Sequence, residues 1–343
     1  MRFRSVIPLS PLSRLFPLIV MFAFASSLYA AVSAAVSETV SVQTDEASAD
    51  TVNISGLVDS LFVIASSGEL RYREQVEPAK EELVKLGARA APRLVEKLTT
   101  PDARERLTII RTLAKIGGPA VPHLRRSLVR LENALQLKRI CWALGDMNEA
   151  AAPALPELIV SASNPDWQVR EYSLRALGKI GDTSTAQYVI DALSDPVGQV
   201  RKSAAWSAGQ LKTAEFSAVL AHTLDDEYYG ARLNAADALA LIGPTAATSL
   251  MALIGADDGA AGDLACETLG RACAGENDPV VTSCLIDQLL EGRPSRRAAA
   301  ARGLGYCAGQ STSASLQSLR LTESDPYVIQ MIDDAVRRMS SSE

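Results

Sequence analysis

The chain has 343 residues, of which 48% are apolar and only 5% aromatic, and its formal net charge is −6. That apolar fraction excludes a disordered chain, and the scarcity of aromatic residues favours packed helices over a β-sandwich. Because an acidic chain has no basic field to attract phosphate groups, the composition argues against nucleic acid as a partner.

The N-terminal residues have the pattern of an export signal. Arg2, Arg4 and Arg14 precede the apolar run 15–25, and small residues follow it. This order of charged, apolar and small residues is typical of a cleavable secretory signal. We therefore expect residues 1–36 to be a signal peptide or an N-terminal anchor.

Cleavage of this segment and its retention as an anchor are both compatible with the sequence. Residues 15–37 carry no charge and are long enough to span a bilayer. In both cases the arginines remain inside, so the rest of the chain is expected in the periplasm or outside the cell. Residues 37–52 are polar and acidic, which predicts a flexible linker before a folded region at 53–343.

The folded region contains an internal repeat. Seven segments of about a dozen residues align without gaps, and their starting points lie 30 to 35 residues apart: Arg106, Leu137, Arg170, Arg201, Arg232, Gly262 and Arg297. Each unit contains a short helix, a turn and a longer helix. One such hairpin cannot bury its apolar stripe alone, but stacked hairpins bury a continuous core.

Positions within the longer helix are counted from zero at the first aligned residue. Apolar or small residues recur at +3, +4, +7 and +10, which form one stripe of an α-helix. Position +8 is always Gly or Ala, which predicts close contact between neighbouring hairpins. Gly117, Gly181 and Gly243 at +11 are expected to be left-handed helix C-caps.

The turn sequences Asp195–Arg201 (DPVGQVR) and Asn164–Arg170 (NPDWQVR) resemble those of HEAT repeats, and more narrowly the HEAT-like repeats of the phycobilisome-lyase type. The resemblance covers roughly residues 70–340. It implies an all-α fold, a right-handed α-solenoid of about eight to nine stacked HEAT-like helical hairpins. Proteins of this superfamily include scaffolds, chaperone-like lyases and a few enzymes, so the resemblance specifies fold more than function.

The resemblance also suggests roles for two columns of side chains. The arginines at position zero are expected to pair with turn acids, here Asp102, Asp166, Asp195 and Asp226. The second helices are expected to line the concave surface of the stack.

Position +5 faces away from the core and is our candidate partner-binding surface. A column that alternates Arg and Trp and then becomes acidic is typical of a groove for a peptide or another protein. Alternatively, each Trp folds over a neighbouring repeat and serves packing. The residues are Arg111, Trp142, Arg175, Trp206, Asp237 and Glu267, with Arg302 at the same position in the last segment.

No catalytic, cofactor-binding or metal-binding site is expected. His123 and His222 are followed by Leu124 and Thr223, so the His-Glu pairs of the iron-binding HEAT-repeat hydroxylase are missing. The sequence also contains no nucleophile or nucleotide-binding motif. We therefore expect a protein that is not an enzyme, with a lyase-type activity as the residual alternative.

The chain has five cysteines. In an oxidising compartment Cys284 could form a disulfide bond with Cys307 or with Cys273. The alternative is that all five are small core residues.

These observations predict an exported scaffold that binds a protein or peptide on the surface formed by the second helices. The alternative is a chaperone-like or lyase-associated protein that acts on a cofactor-bearing client. Neither hypothesis requires a cofactor of its own. Membrane contact is expected only through an uncleaved N-terminal segment.

Overall fold

The computed structural model describes residues 48–340, and within this range the chain forms helices joined by short turns. The predicted export segment and most of the predicted linker lie outside the described residues. Helix α1 begins at Ser48, five residues before the predicted start of the folded region.

The helices form nine consecutive hairpins within the described residues. The first helices are α1 (Ser48–Ala65), α3 (Ala91–Glu96), α5 (Val121–Arg130), α7 (Leu155–Ser161), α9 (Ala186–Ala192), α11 (Ser217–Thr223), α13 (Ala247–Ala256), α15 (Pro279–Glu291) and α17 (Gln310–Thr322). The second helices are α2 (Val76–Lys85), α4 (Ala103–Ile116), α6 (Ala134–Asp146), α8 (Trp167–Ile180), α10 (Gly198–Leu211), α12 (Tyr229–Ile242), α14 (Ala260–Ala272), α16 (Pro294–Cys307) and α18 (Pro326–Ser340).

Each hairpin packs on the next, and consecutive second helices are in contact along the array. The predicted all-α solenoid and its number of hairpins are confirmed. Its right-handed superhelical sense stays a prediction.

Three second helices, α4, α6 and α8, begin where a turn side chain accepts hydrogen bonds from free backbone N–H groups. Asp102 accepts hydrogen bonds from the backbone N–H groups of Arg104 and Glu105, at 2.8 and 2.9 Å. Asp166 caps α8 in the same way. Asp and Asn are preferred at this position because their short side chains reach these donors.

The glycines at +11 end their helices with positive φ, but not all in the predicted conformation. Gly181 is left-handed, with φ 79° and ψ 13°. Gly117 and Gly243 have ψ of −138° and −153°, a region that is open almost only to glycine. The left-handed C-cap prediction is therefore correct for Gly181 and wrong for the other two. Lys212 takes the left-handed conformation at the end of α10, with φ 55°.

The apolar stripe forms the core. All seven residues at +7 have no exposed surface: Leu113, Leu144, Leu177, Ala208, Leu239, Leu269 and Leu304. The buried residues form two clusters, one between Val58 and Ile180 and one between Leu174 and Met339. Helix α8 contributes to both, so it joins the two halves of the core.

The small residues at +8 allow neighbouring second helices to approach closely, as predicted. A Cβ atom on Gly178 would lie 2.8 Å from the Cα of Ser207 on the next second helix. At Gly209 the same atom would lie 3.0 Å from the Cα of Ala238. These distances are too short for an unstrained contact, so only glycine fits without a shift of the backbone.

The arginine column forms a ladder between repeats. Arg170 donates two hydrogen bonds to Asp195, at 2.7 and 2.9 Å, and one to its own turn at the carbonyl of Asn164. Arg201 binds Asp226 in the same way, at 2.6 and 2.8 Å. The structural role predicted for Asp195 and Asp226 is confirmed.

The ladder departs from the prediction at three acids. Asp102 and Asp166 are N-caps, because their carboxylates are engaged by the backbone of their own helices. Glu323, which the sequence did not single out, binds Arg297 at 2.7 and 2.8 Å. The hydrogen bonds from Arg297 lower the pKa of Glu323 to about 2.

One stretch of the described residues, Tyr229–Ala256, is long and apolar enough to cross a membrane by length and composition. In the fold it is not one helix. It consists of α12 and α13, and Gly243 with φ 82° ends the first of them. The stretch is therefore an ordinary pair of solenoid helices.

Candidate functional site

The six candidate residues lie one per repeat on consecutive second helices. We call the outward side of α4, α6, α8, α10, α12 and α14 the second-helix face. On it Arg111, Arg175 and Asp237 are exposed, whereas Trp142, Trp206 and Glu267 are half-buried. All six predicted residues therefore reach the surface, and their role in binding a partner stays a prediction.

The middle of the second-helix face carries a row of rings with one cation among them. Trp142 stacks on Tyr172, with ring centroids 5.6 Å apart and an angle of 28° between the planes. The guanidinium carbon of Arg175 lies 6.0 Å from the Tyr172 ring centroid and 5.9 Å from that of Trp206. These four side chains, which we call the aromatic row, connect α6, α8 and α10.

The two tryptophans of the aromatic row fit both alternatives that the sequence left open, packing on a neighbouring repeat and exposure to a partner. Each Trp is half-buried by contact with a neighbouring repeat, yet each also keeps part of its ring exposed. Sequence reasoning missed Tyr172. The helical spacing could have predicted its position, because Tyr172 precedes Arg175 by three residues and therefore lies on the same side of α8.

Two open depressions lie on the second-helix face. One, of about 170 Å³, lies between α6 and α8 and is lined by Trp142, Tyr172 and Lys179. The other, of about 360 Å³, lies between α10 and α12 and is lined by Trp206 and Leu241, among others. Both lie beside the glycine contacts, because a residue without a side chain leaves space at the surface.

Cys141 lies at the bottom of the first depression. Burial raises the pKa of its thiol to about 12. A thiol with such a pKa is neutral and a poor nucleophile at physiological pH.

The acidic end of the column is engaged within the protein. Asp237 forms an ion pair with Arg271 of the next repeat at 2.6 Å. Glu267 pairs with Arg302 at 3.2 Å. By contrast, Arg111 and Arg175 have no carboxylate partner among the described residues.

All five cysteines are free thiols in the structure. The disulfide bond that the sequence suggested between Cys284 and Cys307 or Cys273 stays a prediction.

Cys307 has Cys273 as a neighbour. Burial, with the neighbouring Cys273 thiol as a second cause, raises the pKa of Cys307 to about 12. These thiols are core residues, as in the alternative interpretation of the sequence.

In the part of the chain that the structure describes, no group of three His, Cys, Asp or Glu side chains is placed to hold a metal ion. Burial lowers the pKa of the half-buried His123 imidazole, with the nearby Arg126 as a second cause. Its surroundings on α5 offer no carboxylate arranged as a metal ligand.

Stacked helical hairpins with an exposed row of side chains define an α-solenoid repeat protein. Residues 155–240 match the family model described as HEAT repeats. HEAT repeats generally mediate protein–protein interaction, which is consistent with a protein partner.

Three solved structures illustrate the likeness in fold. An engineered protein is 19% identical with a TM-score of 0.43, over 86% of this chain and 100% of its own. The CpcE–CpcF complex of phycocyanin lyase from Nostoc sp. is 20% identical with a TM-score of 0.39, over 64% of this chain and 94% of its own. Human deoxyhypusine hydroxylase in complex with glycerol is 19% identical with a TM-score of 0.33, over 75% and 98%.

At these identities and TM-scores the likenesses say nothing about function. A search of curated proteins found no match to the chain.

Proposed function

We propose that this α-solenoid repeat protein is an exported scaffold that binds another protein or a peptide on its second-helix face. The observation that carries the proposal is the aromatic row of Trp142, Tyr172, Arg175 and Trp206. Trp, Tyr and Arg are the residue types enriched at binding hot spots.

The row is held in place before any partner arrives. The rings and the guanidinium contact one another across three repeats, on helices fixed by backbone-to-backbone glycine contacts. Little side-chain freedom is therefore lost on binding, which lowers the entropic cost of association.

Export is the second part of the proposal and rests on the pattern of residues 1–36. The expected location is the periplasm or the extracellular space. N-terminal sequencing of the chain recovered from its source cells tests this part. A cleaved N-terminus in an envelope or secreted fraction supports it, and an intact chain in the cytosol contradicts it.

The lyase-associated alternative requires a surface that recognises a cofactor-bearing client. The two depressions on the second-helix face are open and shallow, and no specific feature of the described residues favours a cofactor. The geometry therefore favours a peptide or protein partner.

Affinity capture from the source extract tests the proposed surface. The bait is the full chain, compared with Trp142→Ala/Trp206→Ala and with the control Tyr188→Ala/Tyr327→Ala. The control removes two exposed rings outside the aromatic row. Circular dichroism melting must show that all three proteins are folded.

We expect one specific partner to be retained by the parent chain and by the control but lost by the tryptophan variant. Retention by all three folded proteins would place the binding surface elsewhere. Absence of any specific partner would contradict the scaffold proposal itself.

A further inference from the structure

The second-helix face has an uneven distribution of charge. On α6, α8 and α10 the carboxylates are Asp146 and Glu171 alone. The same three helices carry seven cations: Lys138, Arg139, Arg170, Arg175, Lys179, Arg201 and Lys202. This part of an acidic protein is therefore locally basic.

Some of these cations form ion pairs or hydrogen bonds within the protein. Arg170 and Arg201 belong to the arginine ladder, and Arg139 is buried against the carbonyls of Leu98 and Thr100. These three cations are engaged by internal partners and are unavailable to a ligand.

The remaining cations are only partly neutralised. Lys179 pairs with Asp146 at 2.6 Å, whereas Lys138 donates to the neutral amide of Gln168 at 2.7 Å. The guanidinium carbon of Arg175 lies 6.0 and 5.9 Å from two ring centroids. Neither Arg175 nor Lys202 forms an ion pair within residues 54–340. Glu171 is a carboxylate near Lys138, Arg175 and Lys202, without an ion pair to any of them in the described residues.

The column acids on the next second helices, α12 and α14, are already paired. On α12 and α14 the column acids are held by Arg271 and Arg302, so each charge already has an opposite neighbour. The part of the second-helix face that carries the aromatic row therefore has an excess of positive charge that α12 and α14 do not share.

We propose that the partner lies across α4, α6, α8 and α10 as an extended acidic peptide segment, with carboxylates at Arg111 and Arg175 and apolar side chains at Trp142 and Trp206. This inference rests on the proposed function and specifies its partner by charge complementarity. A carboxylate is the planar acceptor that matches a guanidinium, and a bound carboxylate would supply the partner that Arg175 lacks.

The geometry of the stack sets the spacing of the peptide. Packed helices lie about 8–10 Å apart, and an extended chain advances about 3.3 Å per residue. One repeat therefore corresponds to about three peptide residues. Arg111 and Arg175 are two repeats apart, which places acidic residues six positions apart with an apolar residue midway.

A fluorescein-labelled peptide, Glu-Ser-Ser-Leu-Ser-Ser-Glu-Ser-Ser-Leu, tests this inference by fluorescence anisotropy with the full chain. The comparison peptide has Gln in place of both Glu. We expect the Glu peptide to bind about tenfold more tightly, as one charge-assisted hydrogen bond would provide. Raising the NaCl concentration should remove most of this difference.

Three protein variants test whether the preference for the Glu peptide depends on Arg175 and Arg111. Arg175→Gln should reduce the preference for Glu over Gln, and Arg111→Gln/Arg175→Gln should abolish it. Arg126→Gln removes an exposed cation on first helix α5 and should leave the preference unchanged. Equal affinity of the two peptides for the parent chain would overturn the proposal, as would an equal effect of Arg175→Gln and Arg126→Gln.

Two further outcomes would identify a different occupant and overturn the proposal. One is tighter binding of oligo(dT) than of the Glu peptide, since bases also stack on aromatic side chains. The other is a tenfold gain in peptide affinity in Glu38→Gln/Asp45→Asn/Glu46→Gln, which would assign the surface to the chain's own acidic segment.

The capture experiment separates this inference from the proposed function. If capture still depends on Trp142 and Trp206 while the peptides show no preference for Glu, the surface is correct and the partner chemistry is wrong. If capture is independent of both tryptophans, the surface itself is wrong.

Discussion

Arg170 and Arg175 lie five residues apart on α8 and have opposite surroundings. Arg170 is largely buried and binds Asp195 and a turn carbonyl, so it connects two repeats. Arg175 is exposed and lies between two aromatic rings. The repeat register predicted this difference, because position zero faces the turn and position +5 faces solvent.

The contact of Arg297 with Glu323 gives a prediction at the residue scale. Glu323→Gln should lower the free energy of unfolding at pH 7 by about 1–3 kcal/mol, because it removes a charged hydrogen-bond acceptor. The pKa of Glu323 is about 2 in the fold, against 4.5 as its ordinary value. This depressed pKa stabilises the fold above pH 4.5, and the stabilisation is lost as the pH falls towards 2.

Denaturant unfolding at a series of pH values measures this effect. The parent and Glu323→Gln should differ at pH 7 and converge between pH 4.5 and 2. The control Glu276→Gln, which changes an exposed carboxylate, should stay within about 0.5 kcal/mol of the parent. A difference between parent and Glu323→Gln that does not depend on pH would contradict the assignment.

At the scale of helices, the stack depends on how closely consecutive second helices approach. The contact of Gly178 with Ser207 and that of Gly209 with Ala238 bring backbones together without intervening side chains. Glycine inside a helix costs about 1 kcal/mol relative to alanine, so its recurrence requires a compensating contact.

Gly178→Ala should therefore destabilise the protein although alanine is the better helix former. The added Cβ would lie 2.8 Å from the Ser207 Cα, so the backbone must move, at a cost of about 1–3 kcal/mol. Gly56→Ala in α1 is the matched control, since its Cβ would meet no atom within 4 Å. That change should stabilise the protein by up to about 1 kcal/mol.

Thermal or denaturant unfolding of both alanine variants provides the measurement. Stabilisation by both changes would mean that the second helices are farther apart than the structure has them.

At the scale of the whole molecule, the core is a series of nearest-neighbour contacts. Helix α8 contributes to both buried clusters. Within residues 48–340 the helices pack mainly on elements of their own and adjacent hairpins. In such an array the stability of one region depends mainly on its adjacent repeats.

A cavity in one of the two buried clusters should therefore lower the stability of that half of the chain more than that of the other half. Ile140 and Leu269 are fully buried, one in each cluster, and truncation to Ala should cost about 2–5 kcal/mol at either site. Ile140→Ala should lower amide protection most in α4–α8, and Leu269→Ala most in α12–α16. Hydrogen exchange followed by mass spectrometry resolves the two regions, and an equal loss of protection throughout would show a single cooperative unit.

Much of the fold was determined by the sequence itself. The repeat spacing, the buried +7 column and the small +8 residues all follow from short-range periodicity. The pairing of Arg170 and Arg201 with turn acids was predicted by the resemblance to HEAT repeats. Each of these features recurs in successive repeats, so a prediction for one repeat is supported by the same pattern in the next. The column at +5 was also correctly placed on one face, since the helical period fixes which side chains share a side.

What the sequence did not determine depends on contacts between repeats. Tyr172 joined the aromatic row, Glu323 replaced an expected turn acid, and Asp237 and Glu267 proved to be engaged by Arg271 and Arg302. Periodicity within a unit gives the direction of a side chain, but the offset and spacing of adjacent helices decide which side chains meet, and only the tertiary structure sets these.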